Sequence, residues 1–312
     1  MAQLGTTDLD VFPICLGGNV FGWTADRDDS FAVLDGYRAA GGDFIDTADL
    51  YMAHAPGNSG GESETVIGEW LRSRGRRDEV VLATKVAKLP GRRGLSAQNI
   101  KAAAEDSLRR LGVDHIDLYY AHEDDETVPQ EETMAAFDEL VRAGKVRYLA
   151  ASNFSAERLA SALAISDREG LARYRAIQPH YNLVERTAYE TELAPLAERE
   201  KLPVLPYFAL AKGFLTGKYR PGDTTSDSPR AEGALAYLDE RGVRVLTALE
   251  EVATLRGVPE AAVALAWLRA KPNVAAPIAS ARHTGQLEPL VTAARLELTA
   301  GEVARLDTAS AG

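Results

Sequence analysis

The sequence has a single cysteine, Cys15, so it cannot form an intrachain disulfide. Cys15 lies within the apolar run Pro13-Ile14-Cys15-Leu16, which fits a small buried side chain better than a nucleophile and suits a reducing compartment. Basic residues are also in short supply: 35 Lys and Arg face 46 Asp and Glu, for a formal net charge of -11 spread along the chain. A nucleic-acid binder needs a concentrated basic surface, and none is visible. No stretch approaches the roughly 20 apolar residues of a membrane span. The N-terminus lacks the basic segment and apolar core of a signal peptide, so no membrane association and a cytoplasmic location are expected. His115, His180 and His283 stand alone, without His-x-His or His-Glu-x-x-His spacing, and no metal site is expected. No Gly-x-Gly-x-x-Gly run follows an early strand, which removes the most direct argument for a Rossmann domain.

What is present is an apolar pattern with a long period. The chain has 312 residues, 46% of them hydrophobic, and at this size a fold buries roughly three quarters of its extended surface without covalent staples. Short runs rich in Val, Ile, Leu and Tyr alternate with longer amphipathic stretches, as in successive βα units around a parallel sheet. The candidate strands are Pro13 to Gly18, Asp43 to Thr47, Val80 to Lys85, His115 to His122, Val146 to Asn153, Ala176 to Asn182, Pro203 to Ala209 and Val274 to Ser280. Helical patterns run over Ala97 to Leu111, Glu131 to Ala143 and Thr187 to Lys201, with Ser96 and Ser155 as N-caps and Gly144 at a C-terminus. Eight such units without a linker favour one closed (β/α)8 TIM barrel over residues 1–312, a single α/β domain; a doubly wound open sheet is the alternative. Two loops break the rhythm, Met52 to Gly61 and a polar segment at 211–239. The tip of the second, around Asp227, reads either as part of a site or as a mobile surface linker.

In a barrel the strand ends meet at one mouth, where catalytic groups collect. Here those ends carry Asp46, Lys85, His122, Ser152 with Asn153, and Gln178, while Tyr51 follows Asp46 closely enough for the loop to fold its phenol back. A free tyrosine is a poor proton shuttle near neutral pH, and Lys85 can supply a cation that favours its phenolate. Asp46 would hold the ammonium, and His122 would hydrogen-bond a substrate oxygen or the phenol. This set can deliver a proton to a carbonyl oxygen. No side chain donates hydride, so a reductase would need a nicotinamide or flavin. The structural alternative is a buried Asp46–Lys85 ion pair with no catalytic part.

The segments Phe44-Ile45-Asp46-Thr47-Ala48-Asp49-Leu50-Tyr51 and Gly61-Glu62-Ser63-Glu64-Thr65-Val66-Ile67-Gly68 resemble the aldo-keto reductase signature. The likeness continues through Ala83-Thr84-Lys85, His122 with Asp125, Gly144-Lys145-Val146-Arg147-Tyr148, Ala151-Ser152-Asn153-Phe154 and Gln178 with Tyr181-Asn182. It runs on through Lys212-Gly213-Phe214-Leu215-Thr216-Gly217-Lys218-Tyr219 and Ala281-Arg282 with Gln286-Leu287. Each fragment is weak alone, but their order and spacing are specific, and they point to the general bacterial and channel β-subunit-like branch.

The resemblance implies a (β/α)8 barrel and reversible NADPH-dependent reduction of aldehydes or ketones, with a small carbonyl compound as partner. By motif, Tyr51 is the general acid, Lys85 and Asp46 tune it, and His122 orients the carbonyl. Ser152, Asn153 and Gln178 would hold the nicotinamide amide, with Tyr207 stacked on the ring and Gly18 and Asn19 bordering ring and ribose. Phe208, Leu210, Lys212, Gly213 and Lys218 belong to the pyrophosphate loop. Ser280, Arg282 and Gln286 fall at the adenosine 2′-phosphate, where a guanidinium suits the dianion and favours NADPH over NADH.

Pro289-Leu290 stand where the family often has Glu-Asn against adenine, and Ala150 replaces a frequent glycine. Trp23 is a candidate apolar wall of the substrate pocket, His54 a candidate overhang, and Glu123 with Asp124 a candidate acidic mouth for a cationic or hydroxyl-rich substrate. The competing functions are an NADPH-binding redox-sensing subunit, similar to potassium-channel β subunits, and an aldolase with Lys85 as Schiff-base nucleophile. Substrate identity and oligomeric state are not legible.

Overall fold

In a computed structural model, which describes residues 1–220, 222–223 and 230–311, the apolar runs become strands that alternate between two cores. The loop tip around Asp227 lies outside the described residues. A short antiparallel hairpin, β1 (Ala2–Gln3) and β2 (Asp10–Val11), precedes the barrel. The barrel strands are β3 (Cys15–Gly17), β4 (Phe44–Asp46), β5 (Val81–Val86), β6 (Ile116–Ala121), β7 (Val146–Ser152), β8 (Tyr174–Gln178) and β9 (Ile278–Ala279). They form one parallel sheet in the order β8-β7-β6-β5-β4-β3-β9.

The extended segment 203–207 closes the barrel between β8 and β9. Val204 bridges Ile177 on one side and Val274 on the other, and His180 bridges Tyr207. The Leu205 N–H donates to the Ile177 carbonyl at 2.9 Å, and the Ala275 N–H to the Val204 carbonyl at 3.0 Å. The expected strand Pro203 to Ala209 is thus present in place but reduced to isolated bridges, because Pro203 and Pro206 have no N–H to give to a ladder.

Side chains follow the two-residue period of a strand. Phe44, Leu118 and Tyr120 point into the barrel with Cys15, Ala83 and Leu205, while Ile45 and Tyr119 point out to the helices. Leu4, Leu9 and Val11 of the hairpin complete the inner core and close the floor. Asp8 ties the hairpin down by accepting from the Arg147 guanidinium and the Tyr148 hydroxyl, both at 2.9 Å.

The helices surround the sheet: α1 (Arg27–Ala39), α2 (Glu62–Arg74), α3 (Ala97–Leu111), α4 (Gln130–Arg142), α5 (Ala156–Glu169), α6 (Ala194–Arg199), α7 (Ala231–Leu235), α8 (Glu240–Arg256), α9 (Glu260–Arg269), α10 (Leu287–Arg295) and α11 (Ala300–Ser310). α3 buries Ile100, Ala103, Ala104, Ser107, Leu108 and Leu111, the stripe of an amphipathic helix. Ser96 and Ser155 cap α3 and α5 by accepting from the N–H groups of Asn99 and Arg158, each worth about 1 kcal/mol. Gly144 follows α4 with a left-handed φ of 71°, which only glycine adopts without cost. The helix expected over Thr187 to Lys201 is present from Thr187 to Arg199, with a π-type stretch, Tyr189–Leu193, ahead of α6. Pro195 explains the change, since it lacks an N–H and its ring crowds the preceding turn.

Candidate active site

The carboxyl ends of β4 to β8 bring Asp46, Lys85, His122, Ser152, Asn153 and Gln178 to one mouth. The chain after β4 turns back at once: the Tyr51 N–H donates to the Ala48 carbonyl at 3.2 Å, and Met52 takes a left-handed φ of 65°. The phenol therefore lies over the strand end it came from. Lys85 is fully buried, and its ammonium donates to Asp46 Oδ2 at 2.6 Å, to the Thr47 carbonyl at 2.8 Å and to Tyr51 Oη at 2.7 Å. Tyr51 Oη donates to Asp46 Oδ2 at 3.1 Å, and the other Asp46 oxygen accepts from Gln178 Nε2 at 2.9 Å.

Electrostatics set the protonation states. Burial, reinforced by the Asp46 carboxylate, pushes the Tyr51 phenol well above the usual tyrosine range. This corrects the expectation that Lys85 would favour a phenolate. Asp46 Oδ2 lies 3.1 Å from the phenol oxygen against 2.7 Å for the ammonium and opposes it, and desolvation is the largest influence. Burial also lowers Lys85, against the pull of Asp46. His122 is held well below the ordinary imidazole value by burial and by the cations of Lys85 and Lys88, so the ring is neutral. Its Nδ1 is buried without a partner, and the ring meets Tyr51 edge-on at 6.0 Å.

A polar clamp lies beside this hub. Ser152 Oγ donates to the Gln178 carbonyl at 2.8 Å; Asn153 Nδ2 donates to the His122 carbonyl at 2.8 Å, and Asn153 Oδ1 accepts from the Tyr207 hydroxyl at 2.8 Å. Tyr207 stacks by one face on His180 at 5.2 Å.

A cavity of about 540 Å3 runs from Asp46, Tyr51 and His122 past this clamp to Ser280, Arg282 and Gln286. Its wall includes Asn19, Trp23, Phe208, Leu210, Lys212, Gly213 and Lys218. In the segment that follows 203–207, Phe208, Ala211, Lys212, Gly213 and Gly217 all have left-handed φ values, so the backbone curls tightly there. The Asn182 side chain fixes that segment by donating to the Phe208 carbonyl at 2.9 Å. Lys212, Lys218 and Arg282 give the far part of the cavity the cationic lining that a dinucleotide's phosphates require. Ser280 Oγ donates to Asn19 Oδ1 at 2.6 Å, and Gln286 Oε1 accepts the Arg282 N–H at 2.9 Å. The donor set therefore fits an anionic nicotinamide cofactor.

Several expected residues lie elsewhere. Gly17, not Gly18, lines the cavity; Gly18 donates its N–H to the Asp46 carbonyl and accepts from Ser63 Oγ. Lys85 stands behind Asp46 and Tyr51. His54 is off the wall and packs edge-on against Trp23 at 5.9 Å. Glu123 is also off the wall and pairs with Lys88 at 3.0 Å, while Asp124 pairs with Arg158 at 2.5 Å. Both acids already have cations, so the acidic mouth expected from the run Glu123-Asp124-Asp125 does not form.

Sequence reasoning missed Lys88, which lines the mouth three residues past Lys85 and was findable from that spacing. It also missed Arg230, whose guanidinium lies 5.9 Å over the Trp23 ring from a polar loop with no motif to flag it. Pro289 and Leu290 line the end of the cavity and present apolar surface there.

Among the described residues, no group of three or more His, Cys, Asp or Glu is placed to hold a metal ion, and no helix is long and apolar enough to cross a membrane. Comparison with known proteins adds to the geometry. The sequence model of the Aldo/keto reductase family matches residues 13–311. The chain is similar to the uncharacterized oxidoreductase YrpG of Bacillus subtilis, 36% identical over 95% of this chain and 91% of that protein. It is similar to a probable voltage-gated potassium channel subunit beta of Oryza sativa subsp. japonica, 33% identical over 91% of this chain and 88% of the other. It is also similar to norsolorinic acid reductase B of Aspergillus parasiticus, 33% identical over 96% of this chain and 81% of the other.

Proposed function

The chain belongs to the aldo/keto reductase family, and from that premise we propose that it reduces an aldehyde or ketone to the alcohol with NADPH, Tyr51 serving as general acid. The observation that carries this reading is the hub in which Tyr51 Oη lies 2.7 Å from the Lys85 ammonium and 3.1 Å from Asp46 at the cavity wall. When bound, the cofactor supplies hydride to the carbonyl carbon. Tyr51, kept as the neutral phenol, gives its proton to the carbonyl oxygen. Lys85 then stabilises the phenolate left behind, which solvent reprotonates. Asp46 holds Lys85 in place and fixes the Gln178 amide at the same time. The neutral His122 keeps one ring N–H with which to orient the carbonyl oxygen.

Ser152, Asn153 and Gln178 hold the carboxamide in this reading, and Tyr207 the ring face. Lys212, Lys218 and the curled backbone around Gly213 hold the pyrophosphate. Arg282 with Ser280 meets the 2′-phosphate, which is the ground for NADPH over NADH. Oxidation of NADPH and of NADH with a panel of aromatic aldehydes, quinones and keto sugars tests the proposal. Turnover that prefers NADPH supports it, and no turnover on any carbonyl counts against it.

The similarity to plant proteins named as probable channel β subunits favours a second reading, an NADPH-binding regulatory subunit. Tight NADPH retention with very slow turnover would select that reading.

A further inference from the structure

The loop that leads from Asp46 to Tyr51 carries one more acid, for which the proton-transfer hub has no use. Asp49 is 1% exposed, and neither of its carboxyl oxygens has a hydrogen-bond partner. Its backbone N–H donates to the carbonyl of Lys85 at 3.3 Å. Residue 49 is thereby pinned to the strand that carries the ammonium, two positions before the phenol.

The charged and titratable groups that interact with the carboxyl come from several elements: Glu64 on α2, Arg110 on α3, Arg92 in the loop before α3, Tyr119 on β6 and Lys85 on β5. None of them satisfies it. Glu64 is fully buried and already accepts from Thr84 Oγ1 at 2.5 Å and from Arg110 Nε at 2.6 Å. Arg92 pairs with Asp106, Lys85 has its three acceptors in the hub, and the Tyr119 hydroxyl is buried and unpartnered. A charge on Asp49 would sit in a low-dielectric gap, unpaired, beside a second carboxylate. The neutral acid avoids this, and burial together with Glu64 raises the Asp49 carboxyl to about 7.

We propose that Asp49 is a positioning residue for Tyr51: as a neutral acid it lets the loop 46–51 close against Lys85, and its ionisation opens that loop and draws Tyr51 away from the ammonium. The chemistry is the loss of one proton to solvent. The new charge repels Glu64 and seeks water, and either motion displaces residue 49. The consequence for turnover rests on Tyr51 being the proton donor, but the structural consequence does not.

The test uses the full-length protein and three variants. Asp49→Asn keeps the shape and the neutral state. The wild-type kcat for carbonyl reduction should fall several-fold as pH rises through about 7. Asp49→Asn should keep the acid-side rate and lose that limb, and Asp49→Ala, which likewise has no charge to gain, should lose it too. Two spectroscopic readings need no turnover. The infrared carbonyl stretch of a protonated carboxylic acid should titrate away near pH 7 in the wild type and be absent from Asp49→Asn. The near-ultraviolet signal of Tyr51, taken as wild type minus Tyr51→Phe, should change over the same range.

A pH limb shared by wild type and Asp49→Asn, or no titrating carboxylic acid band, overturns the proposal. So does a band that titrates while the Tyr51 signal stays fixed. Should Asp49→Asn not fold, the two wild-type spectra still decide. Should no carbonyl be reduced, the functional reading fails while these spectra still judge Asp49.

Discussion

The two ends of the barrel both bury a carboxylate, and they pair it differently. At the floor, Asp117 accepts from the guanidiniums of Arg77 and Arg147, both at 2.8 Å, and from the Leu82 N–H at 2.9 Å. Arginine stays charged at any working pH and offers a planar fork, so this contact is a fixed stitch beneath a hairpin. At the mouth, Asp46 pairs with a lysine, whose point charge also touches a phenol that opens on a cavity. Burial lowers that lysine and raises that phenol, so the phenol keeps its proton beside a cation that can stabilise the oxyanion once the proton is given up. On the proposed function, the same fold uses one buried carboxylate for rigidity and another for chemistry, and the choice of cation separates the two.

The contrast breaks most strongly at Lys85. Lys85→Met keeps the bulk and removes the charge, and should cost about a hundredfold or more in kcat while NADPH still binds, as read by steady-state kinetics and fluorescence titration. At the floor, Asp117→Ala should leave kcat unchanged and cost about 2–4 kcal/mol of stability by urea denaturation. That figure is held down because Arg147 is partly solvated.

Arg282→Ala sharpens the comparison along the cavity. It should raise the KM for NADPH by roughly tenfold or more through the loss of a charge-assisted contact, and move NADH little. Asp49 adds a pH signature that the floor lacks. Burial and Glu64 raise it to about 7, above the ordinary range of a free aspartate, so the neutral acid is favoured in the folded state. Its contribution is full below about 4 and is lost as pH rises to about 7. Thermal scans should therefore show Asp49→Asn gaining on the wild type across that window and holding a constant lead above it. The smallest effect is expected at Glu123→Gln, which removes half of a partly exposed pair with Lys88. Relative rates on cationic and neutral aldehydes should not change.

Most of the hub could be read from sequence because Asp46, Lys85 and Gln178 sit at strand ends, a position that the period of the apolar runs fixes, and Tyr51 follows Asp46 within one short loop. The same period located the barrel and the caps Ser96 and Ser155. What escaped was pairing. The run Glu123-Asp124-Asp125 shows its charge in the sequence, but Lys88 and Arg158, which neutralise it, come from distant segments. The direction of the Tyr51 shift was misjudged for a related reason: the cation beside it was foreseen, but not the depth of burial. The seventh strand was placed correctly and drawn too long, because Pro203 and Pro206 break hydrogen bonds without erasing the apolar pattern, and in the helix from Thr187 the π-type stretch before Pro195 has no apolar signature. Arg230 had no signal at all, since a polar loop carries no periodicity to say which residue turns inward.

The proton donor is the central claim, and Tyr51→Phe tests it most directly. Carbonyl reduction by wild type and variant would be followed at saturating NADPH, with cofactor affinity measured in parallel. The account predicts unchanged NADPH binding and a loss of roughly a hundredfold or more in kcat. A variant that binds NADPH and reduces the same carbonyl at the wild-type rate would contradict it.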